Sequence, residues 1–377
     1  MTRKYSAALA AAALAFALSA CGEPGASSTL ASTSPTTPPS ASSVVQQQSE
    51  SASSTASGLP ATADKKFQVR IALDNSVPPS LFAGIYAAQE EGYFSAEGLD
   101  VEAALYTDTG TPALEKAADG TAQLAVTAQA GGMASALADA KPVTAVAALQ
   151  QHNDAGLLSI DSNHVQRPRA LEGKSCMTDG SPLQQALFRT ALTADGGDTT
   201  KVTLNTSAQS GIDWAVQALQ SNAPAVSASY GWDGLLCKEK GLSVNFQFYA
   251  DISSQLDGYP ALLAVNNTFL NAHGAQVKAF LRAAWRGYTY AAQYPDTAAA
   301  LVTQRIPSLS QDQSGIQRSL TWLAGKYRDD APYWGAIDQT RWNAFYTWFN
   351  TQKLSAKSVP LGTGFSNEYL PQQTTAS

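Results

Sequence analysis

Few of the residues able to do chemistry stand at a spacing that would let them do it. The three histidines, His152, His164 and His273, are scattered, and none has carboxylates at metal-ligand spacing. Glu90-Glu91 and Asp329-Asp330 are adjacent pairs, which project on different sides of a helix and suit a solvated surface. There is no G-x-S-x-G nucleophile elbow, no Walker loop, no H-E-x-x-H and no C-x-x-C. The sequence thus implies no metal and no cofactor, and it assembles no catalytic group, although such groups need not be neighbours in the chain. Of three cysteines, Cys176 and Cys237 lie in the part expected to fold. They read either as a disulfide in an exported protein or as two buried thiols.

The ends show where such a protein works. Arg3 and Lys4 precede an apolar run, Ala7 to Leu18, which is too short for a comfortable membrane span and leads to Leu18-Ser19-Ala20-Cys21. Residues 1–20 therefore read as a signal peptide. Cys21, followed by Gly22, resembles the lipobox of bacterial lipoproteins, whose cysteine is acylated and becomes the new N-terminus. That resemblance implies a protein held on the extracytoplasmic face of the cell membrane by its lipid alone. Residues 21–66 are dominated by Ser, Thr, Ala, Pro and Gln and bury too little to offset chain entropy, so they read as a disordered tether. The net charge of −6, with no basic stripe, argues against nucleic acid as a partner.

About 310 residues remain, enough for one two-lobed unit or two ordinary domains. Phe67, Val69, Ile71 and Leu73 alternate as a strand that ends at Asp74-Asn75-Ser76, and Ser80 is the expected N-cap of a helix that stops at Gly92. Strands over Leu99–Tyr106 and Gln123–Thr127 flank a helix over Thr111–Ala118. A second unit has strands at Gly173–Met177 and Lys201–Asn205, and helices at Ser181–Ala194 and Gly211–Leu219. Strands alternating with helices predict an α/β fold with a mostly parallel sheet. The stretch Gly120–Gln129 is echoed about a hundred residues later by Ser221–Tyr230, as two similar lobes require. Tyr259–Val265 reads as a strand that returns the chain to the first lobe. Long helices follow, one carrying Val277, Phe280, Leu281, Ala284, Trp285 and Tyr288 on one face, then Gln311–Lys326 capped by Ser310 and Gln339–Gln352 capped by Asp338. Trp322, Trp342, Phe345, Trp348 and Phe349 read as core and interface packing.

Glu91-Gly92-Tyr93-Phe94 followed by Glu97-Gly98-Leu99-Asp100-Val101-Glu102 resembles a signature of the substrate-binding components related to the thiamine pyrimidine-precursor and alkylsulfonate, nitrate and taurine importers. Leu73-Asp74, Ala147 to His152, Gly156 to Ser159, Leu171 to Lys174, Gly180 to Gln184 and Trp232 to Leu235 resemble further stretches of the pyrimidine-precursor branch. Val277 to Tyr288, Tyr294-Pro295, Trp334-Gly335, Asp338 and Arg341-Trp342 are similar to its C-terminal helices. The resemblance runs from about Phe67 to about Phe349. It implies a two-lobed, type II periplasmic-binding-protein-like fold that captures a small heterocycle, a thiamine pyrimidine precursor, for the permease and ATPase subunits of an ABC importer, as a monomer. The chain departs from the branch at Asn75, where a tryptophan is usual, and at Leu81 or Phe82, where a histidine is usual.

In such a fold the ligand sits between the lobes at the carboxyl ends of the strands, and the lobes close by hinge motion. The expected partition is lobe 1 at 67–165, lobe 2 at 166–259, a return to lobe 1 with the C-terminal helices at 260–355 and a tail at 356–377. Hinge crossings are expected near Asn163–Pro168 and Gln255–Pro260. The candidate ligand contacts are Asp74, Asn75, Phe82, Gln129 and His152 from the first lobe. From the second they are Gly180 and Ser181, whose amides and hydroxyl open a helix N-terminus suited to a polar or anionic group, with Tyr230, Trp232 and Asp233 as stacking face and acceptor. Asp74 and Ser181 equally suit capping, His152 packing and Trp232 a lobe core. Other readings keep the fold and bind a flavin, an alkylsulfonate such as taurine, or nitrate. Two further readings are a ligand-sensing receptor and an enzyme like the fungal-type pyrimidine synthase, whose cysteine-rich segment has no counterpart beside Cys176 and Cys237.

Overall fold

The computed structural model describes residues 65–106, 113–206 and 213–371. The leader, Cys21 and all but the last two residues of the tether lie outside them. Strands β1 (Phe67–Asp74), β2 (Leu99–Tyr106), β3 (Leu124–Thr127) and β4 (Val143–Ala148) come first, then β5 (Ala155–Ile160), β6 (Ser175–Thr178), β7 (Thr203–Thr206), β8 (Val226–Ser229) and β9 (Val244–Phe248), and last β10 (Leu262–Asn266). They form two five-stranded sheets of one design, ordered β2-β1-β3-β10-β4 and β7-β6-β8-β5-β9. In each sheet four strands point the same way, and the fourth place in the order is taken by an antiparallel strand arriving from the other lobe.

Because β5 pairs with β8 and β9, the chain enters the second sheet through residues 149–154. It leaves through 249–261, where β10 takes its place between β3 and β4. The return crossing includes the expected Gln255–Pro260. The first crossing does not lie at Asn163–Pro168, and β5 stands in the second sheet although the expected lobe boundary was 165. The polar break there is a turn inside the second lobe, where the Asn163 side chain donates to the Ala223 and Pro224 carbonyls.

The first sheet alternates large and small residues along its strands. Ile71, Leu73, Leu124, Val126, Val146, Leu263 and Val265 face one core, with the helices Ala83–Glu90 and Gly274–Gln293. Ala72, Ala125, Ala145 and Ala264 face a second core that runs without a break through Tyr249 and Tyr259 of the return crossing to Leu187 and Phe188 of the second lobe. This is the period-two rule of a strand buried on both faces. The two helices of the first core touch backbone to backbone: a Cβ on Gly287 would lie 2.0 Å from the Gly84 carbonyl oxygen. Gly92 and Gly98, the glycines of the E-G-Y-F and E-G-L-D-V-E stretch, have φ of +67° and +75° with open space around them, so backbone conformation accounts for them.

Caps follow local chemistry where nothing intervenes. Ser181 accepts from the Gln184 amide and Asp338 from the Arg341 amide, each at the head of its helix. Ser80 and Ser310 do not cap. Each falls in a proline-led 3-10 turn, Pro79–Phe82 and Pro307–Asp312, and the helices begin later, at Ala83 and Gln313. Ser80 is fully buried and accepts a hydrogen bond from Ser319. The described part of the C-terminal tail covers the free edge of β4, where Ala145 pairs with the backbone on both sides of Phe365.

Candidate functional site

The third strand of each sheet ends in the same turn. β3 leads through Ala128 into a wide helical turn, Gln129–Met133, and β8 leads through Ser229 into another, Tyr230–Gly234. The first amide of each turn donates to the crossing that enters its sheet, Gln129 N to Tyr259 O at 3.2 Å and Tyr230 N to Asp154 O at 2.9 Å. The two turns and the two crossings therefore meet where the carboxyl ends of the strands open. Residues 107–112 and 207–212 are outside the described residues.

The first-lobe candidates divide sharply. Asp74 closes a turn, its Oδ1 accepting from the Ser76 amide at 2.9 Å and hydroxyl at 2.8 Å. Asn75 is exposed beside it. Phe82 is not a ligand wall: it is 1% exposed and buried in the first core, behind the Leu81 carbonyl that accepts from Tyr288 Oη. Gln129 is fully buried. Its Oε1 accepts from the Tyr259 amide at 2.7 Å and its carbonyl from Tyr346 Oη.

His152 lies on the first crossing and bonds to the second. Its Nδ1 is 2.7 Å from Asp257 Oδ2 and 2.9 Å from an Arg341 nitrogen, and its Nε2 is 2.9 Å from Asp330 Oδ1. Asp257 Oδ1 also accepts from the Asn153 amide, and Arg341 donates to the Gln151 carbonyl and side chain. The hydrogen bond to Asp257 raises the His152 pKa, and the imidazole in turn holds the Asp330 carboxyl below its usual range. This cluster borders a cavity of about 520 Å³ beside the helix Gln339–Thr351. Arg341, Asp257 and Asp330 carry no local mark in the sequence that would join them, because they meet only through the tertiary fold.

In the second lobe, the helix N-terminus expected to receive an anion is already filled. The Gly180 amide donates to Thr178 Oγ1, and the Ser181 amide donates to Asp179 Oδ1 at 2.7 Å. The turn after β8 is different in kind. Tyr230 packs against Phe246, Phe248 and Trp322 at centroid distances of 5.1, 5.5 and 5.6 Å, and its hydroxyl accepts from Lys238. Trp232 reaches the helix Gln313–Leu323 of the first lobe at Gly315. Asp233 is 6% exposed and accepts from the Ser229 amide; burial pushes its carboxyl up to about 7. Asp154, which sequence reasoning missed, presents Oδ2 to the Ser229 hydroxyl at 2.5 Å and the Gly231 amide at 2.9 Å, and burial raises its pKa. A cavity of about 450 Å³ opens between the lobes here, lined in part by His152, Asp154, Phe248, Asp257, Trp322 and Lys326. Arg318, on the same helix as Trp322, forms an ion pair with Glu239 of the second lobe.

Cys176 and Cys237 are both free and buried, so the disulfide reading falls; burial pushes the Cys237 thiol up to about 12 and the Cys176 thiol further. Among the described residues no cluster could hold a metal ion, and no helix is long and apolar enough to cross a membrane.

The comparisons agree with this architecture. The chain is 24% identical over 294 residues to the formylaminopyrimidine-binding protein of Halalkalibacterium halodurans, covering 77% of this chain and 87% of that one. It is 22% identical over 334 residues to the riboflavin-binding protein RibY of Chloroflexus aurantiacus, covering 85% and 91%. The periplasmic aliphatic sulphonate binding protein SsuA of Escherichia coli shares the fold, with a TM-score of 0.58 at 15% identity over 78% of this chain and 89% of that one. The family model described as NMT1/THI5 like matches residues 80–298, more than half of the sequence. The chain belongs to the NMT1/THI5-like family.

Proposed function

We propose that this protein is the substrate-binding component of an ABC importer, exported by its leader, anchored through Cys21 and capturing an amino-bearing pyrimidine of the thiamine-precursor type. One observation carries the choice of ligand chemistry: the Asp154 carboxyl, bonded to the second-lobe turn, lines the inter-lobe cavity together with the Phe248 and Trp322 rings. An aminopyrimidine protonated on its ring nitrogen presents two adjacent donors, an edge that a carboxylate matches, and its flat face gains from aromatic neighbours. The first-named relative, a formylaminopyrimidine-binding protein, supports the same reading.

A sulfonate or nitrate fits less well. The amides at Gly180 and Ser181 that would hold such an anion already have acceptors, and the Asp179 carboxylate stands among them. The aromatic group around Tyr230 favours a flavin as the second reading, which the likeness to the riboflavin-binding relative supports. Titration calorimetry with formylaminopyrimidine, riboflavin and taurine separates the three. The reading predicts the tightest binding for formylaminopyrimidine; heat from taurine with none from the pyrimidine would contradict it. Closure around the ligand by hinge motion at 149–154 and 249–261 would present the loaded form to the permease.

A further inference from the structure

Asp154 occupies an unusual place. It is the last residue of the first crossing, one position before β5, and its backbone carbonyl accepts from the Tyr230 amide. Its carboxylate turns into the second lobe, where Oδ2 takes both the Ser229 hydroxyl and the Gly231 amide. One oxygen thus holds the turn that carries Tyr230 and Asp233. A Cβ on Gly231 would lie 2.8 Å from this oxygen and 2.7 Å from the Trp322 ring, so carboxylate, turn backbone and indole are packed without intervening space.

The same residue lines the inter-lobe cavity with Phe248 of the second lobe and Trp322 of the first. Phe248 and Trp322 both flank Tyr230, which leaves the cavity with aromatic walls from each lobe. Its charged lining is Asp154, Asp251, Asp257 and Asp329 against Lys326 and His152. Lys326 is engaged by Asp329 at 2.7 Å and His152 by Asp257. Asp257 also faces Arg341 at 3.4 Å, and the carboxyl groups of the lining still outnumber its cationic groups, which favours amines and cations over anions.

We propose that Asp154 is a specificity-determining residue of the ligand site: it receives the protonated or amino edge of a flat heterocycle held in the cavity that Phe248 and Trp322 line, and it disfavours anionic ligands. This deepens the aminopyrimidine reading and rests on it. A hydrogen bond to a charged group contributes more than one between neutral groups, so losing the charge costs roughly ten- to hundredfold in affinity.

The test is titration of Asp154→Asn with formylaminopyrimidine and with riboflavin, from pH 5 to 8, beside the parent protein. Asparagine keeps one acceptor for the Gly231 amide and, at nearly constant size, replaces the other oxygen by an amide NH2 as it removes the charge. The proposal expects about a ten- to hundredfold loss for formylaminopyrimidine, a flattened pH profile and little change for riboflavin. A role confined to capping the turn would weaken both ligands alike and leave the shape of the pH profile intact; that result, or unchanged affinity, overturns the proposal. Should Asp154→Asn fail to fold, Trp322→Ala carries the test from the opposite lobe. It is expected to weaken formylaminopyrimidine by about tenfold, and unchanged affinity would overturn the site. Absence of binding by the parent protein is a separate outcome, which overturns the aminopyrimidine reading and this proposal with it.

Discussion

The turns after β3 and β8 are built alike and used differently. Each is entered from the third strand of its sheet, and each gives its first amide to the incoming crossing. In the first lobe the polar partner is a neutral amide, Gln129, buried completely with its oxygen paired to the Tyr259 amide and its Nε2 without a hydrogen-bond partner among the described residues. In the second lobe the polar partner is a carboxylate, Asp154, which remains partly accessible beside a cavity. Burial raises the Asp154 pKa, and the residue still borders a cavity, so the second turn keeps an opening that the first does not show. One repeat has become a structural joint and the other a recognition surface.

Substitutions at the two turns should separate these employments. Gln129→Ala removes the acceptor of the buried Tyr259 amide and leaves a cavity while relieving the unpaired Nε2, so it should destabilise by about 1 to 3 kcal/mol, read as a fall in Tm. A loss below about 1 kcal/mol would mean that the first turn is not a joint. Tyr230→Ala should do the reverse. Its partly exposed ring contributes about 1 to 2 kcal/mol of stability, but its removal should weaken a flat ligand at least tenfold in a titration. Equal losses of stability and no loss of binding would erase the distinction.

The carboxyl of Asp233 sharpens the comparison through pH. Its value is raised in the folded protein from an ordinary 3.8 to about 7, so the folded state holds the proton more tightly than the unfolded one. Stability from this group is complete below pH 3.8 and declines as the pH rises towards 7. Asp233→Asn should remove that decline, seen as a Tm that changes less between pH 5 and pH 8 than in the parent. A Tm profile identical to the parent's would show that the second turn buries no costly charge. The smallest effect is expected at the hinge. The pKa of His152 is raised from 6.5, so its contribution is full below 6.5 and is lost as the pH rises through the higher folded value. The ring is half-buried and solvent screens its partners, so His152→Gln should change stability by under about 1 kcal/mol, and only on the acid side. An equal effect at pH 8 would assign the residue to packing.

The signals that were legible in the sequence were local or repeated. The echo between Gly120–Gln129 and Ser221–Tyr230 places both third strands and both turns, because the same short apolar run must end at the same opening in each lobe. Ser181 and Asp338 were readable as caps because a cap depends on the next three residues. Ser80 and Ser310 obeyed the same rule on paper, but the preceding prolines draw the chain into 3-10 turns first. Phe82 shows the limit for a single aromatic residue. Its type suits a ligand wall or a core, and only the tertiary packing of the first core, where the neighbouring Leu81 carbonyl accepts from Tyr288 Oη, shows which. Asp154, Asp257 and Arg341 were invisible as a group because their partners lie 75 to 190 positions away in the chain. The first crossing was misplaced for a related reason, since β5 looks like any apolar strand and only its pairing shows which sheet it joins.

The most direct measurement is native mass spectrometry of the protein purified without refolding, so that a ligand captured between the lobes stays in place. The account predicts a non-covalent mass addition that matches an amino-bearing pyrimidine, or its appearance on adding formylaminopyrimidine. An addition matching a sulfonate, with no uptake of the pyrimidine, would contradict it.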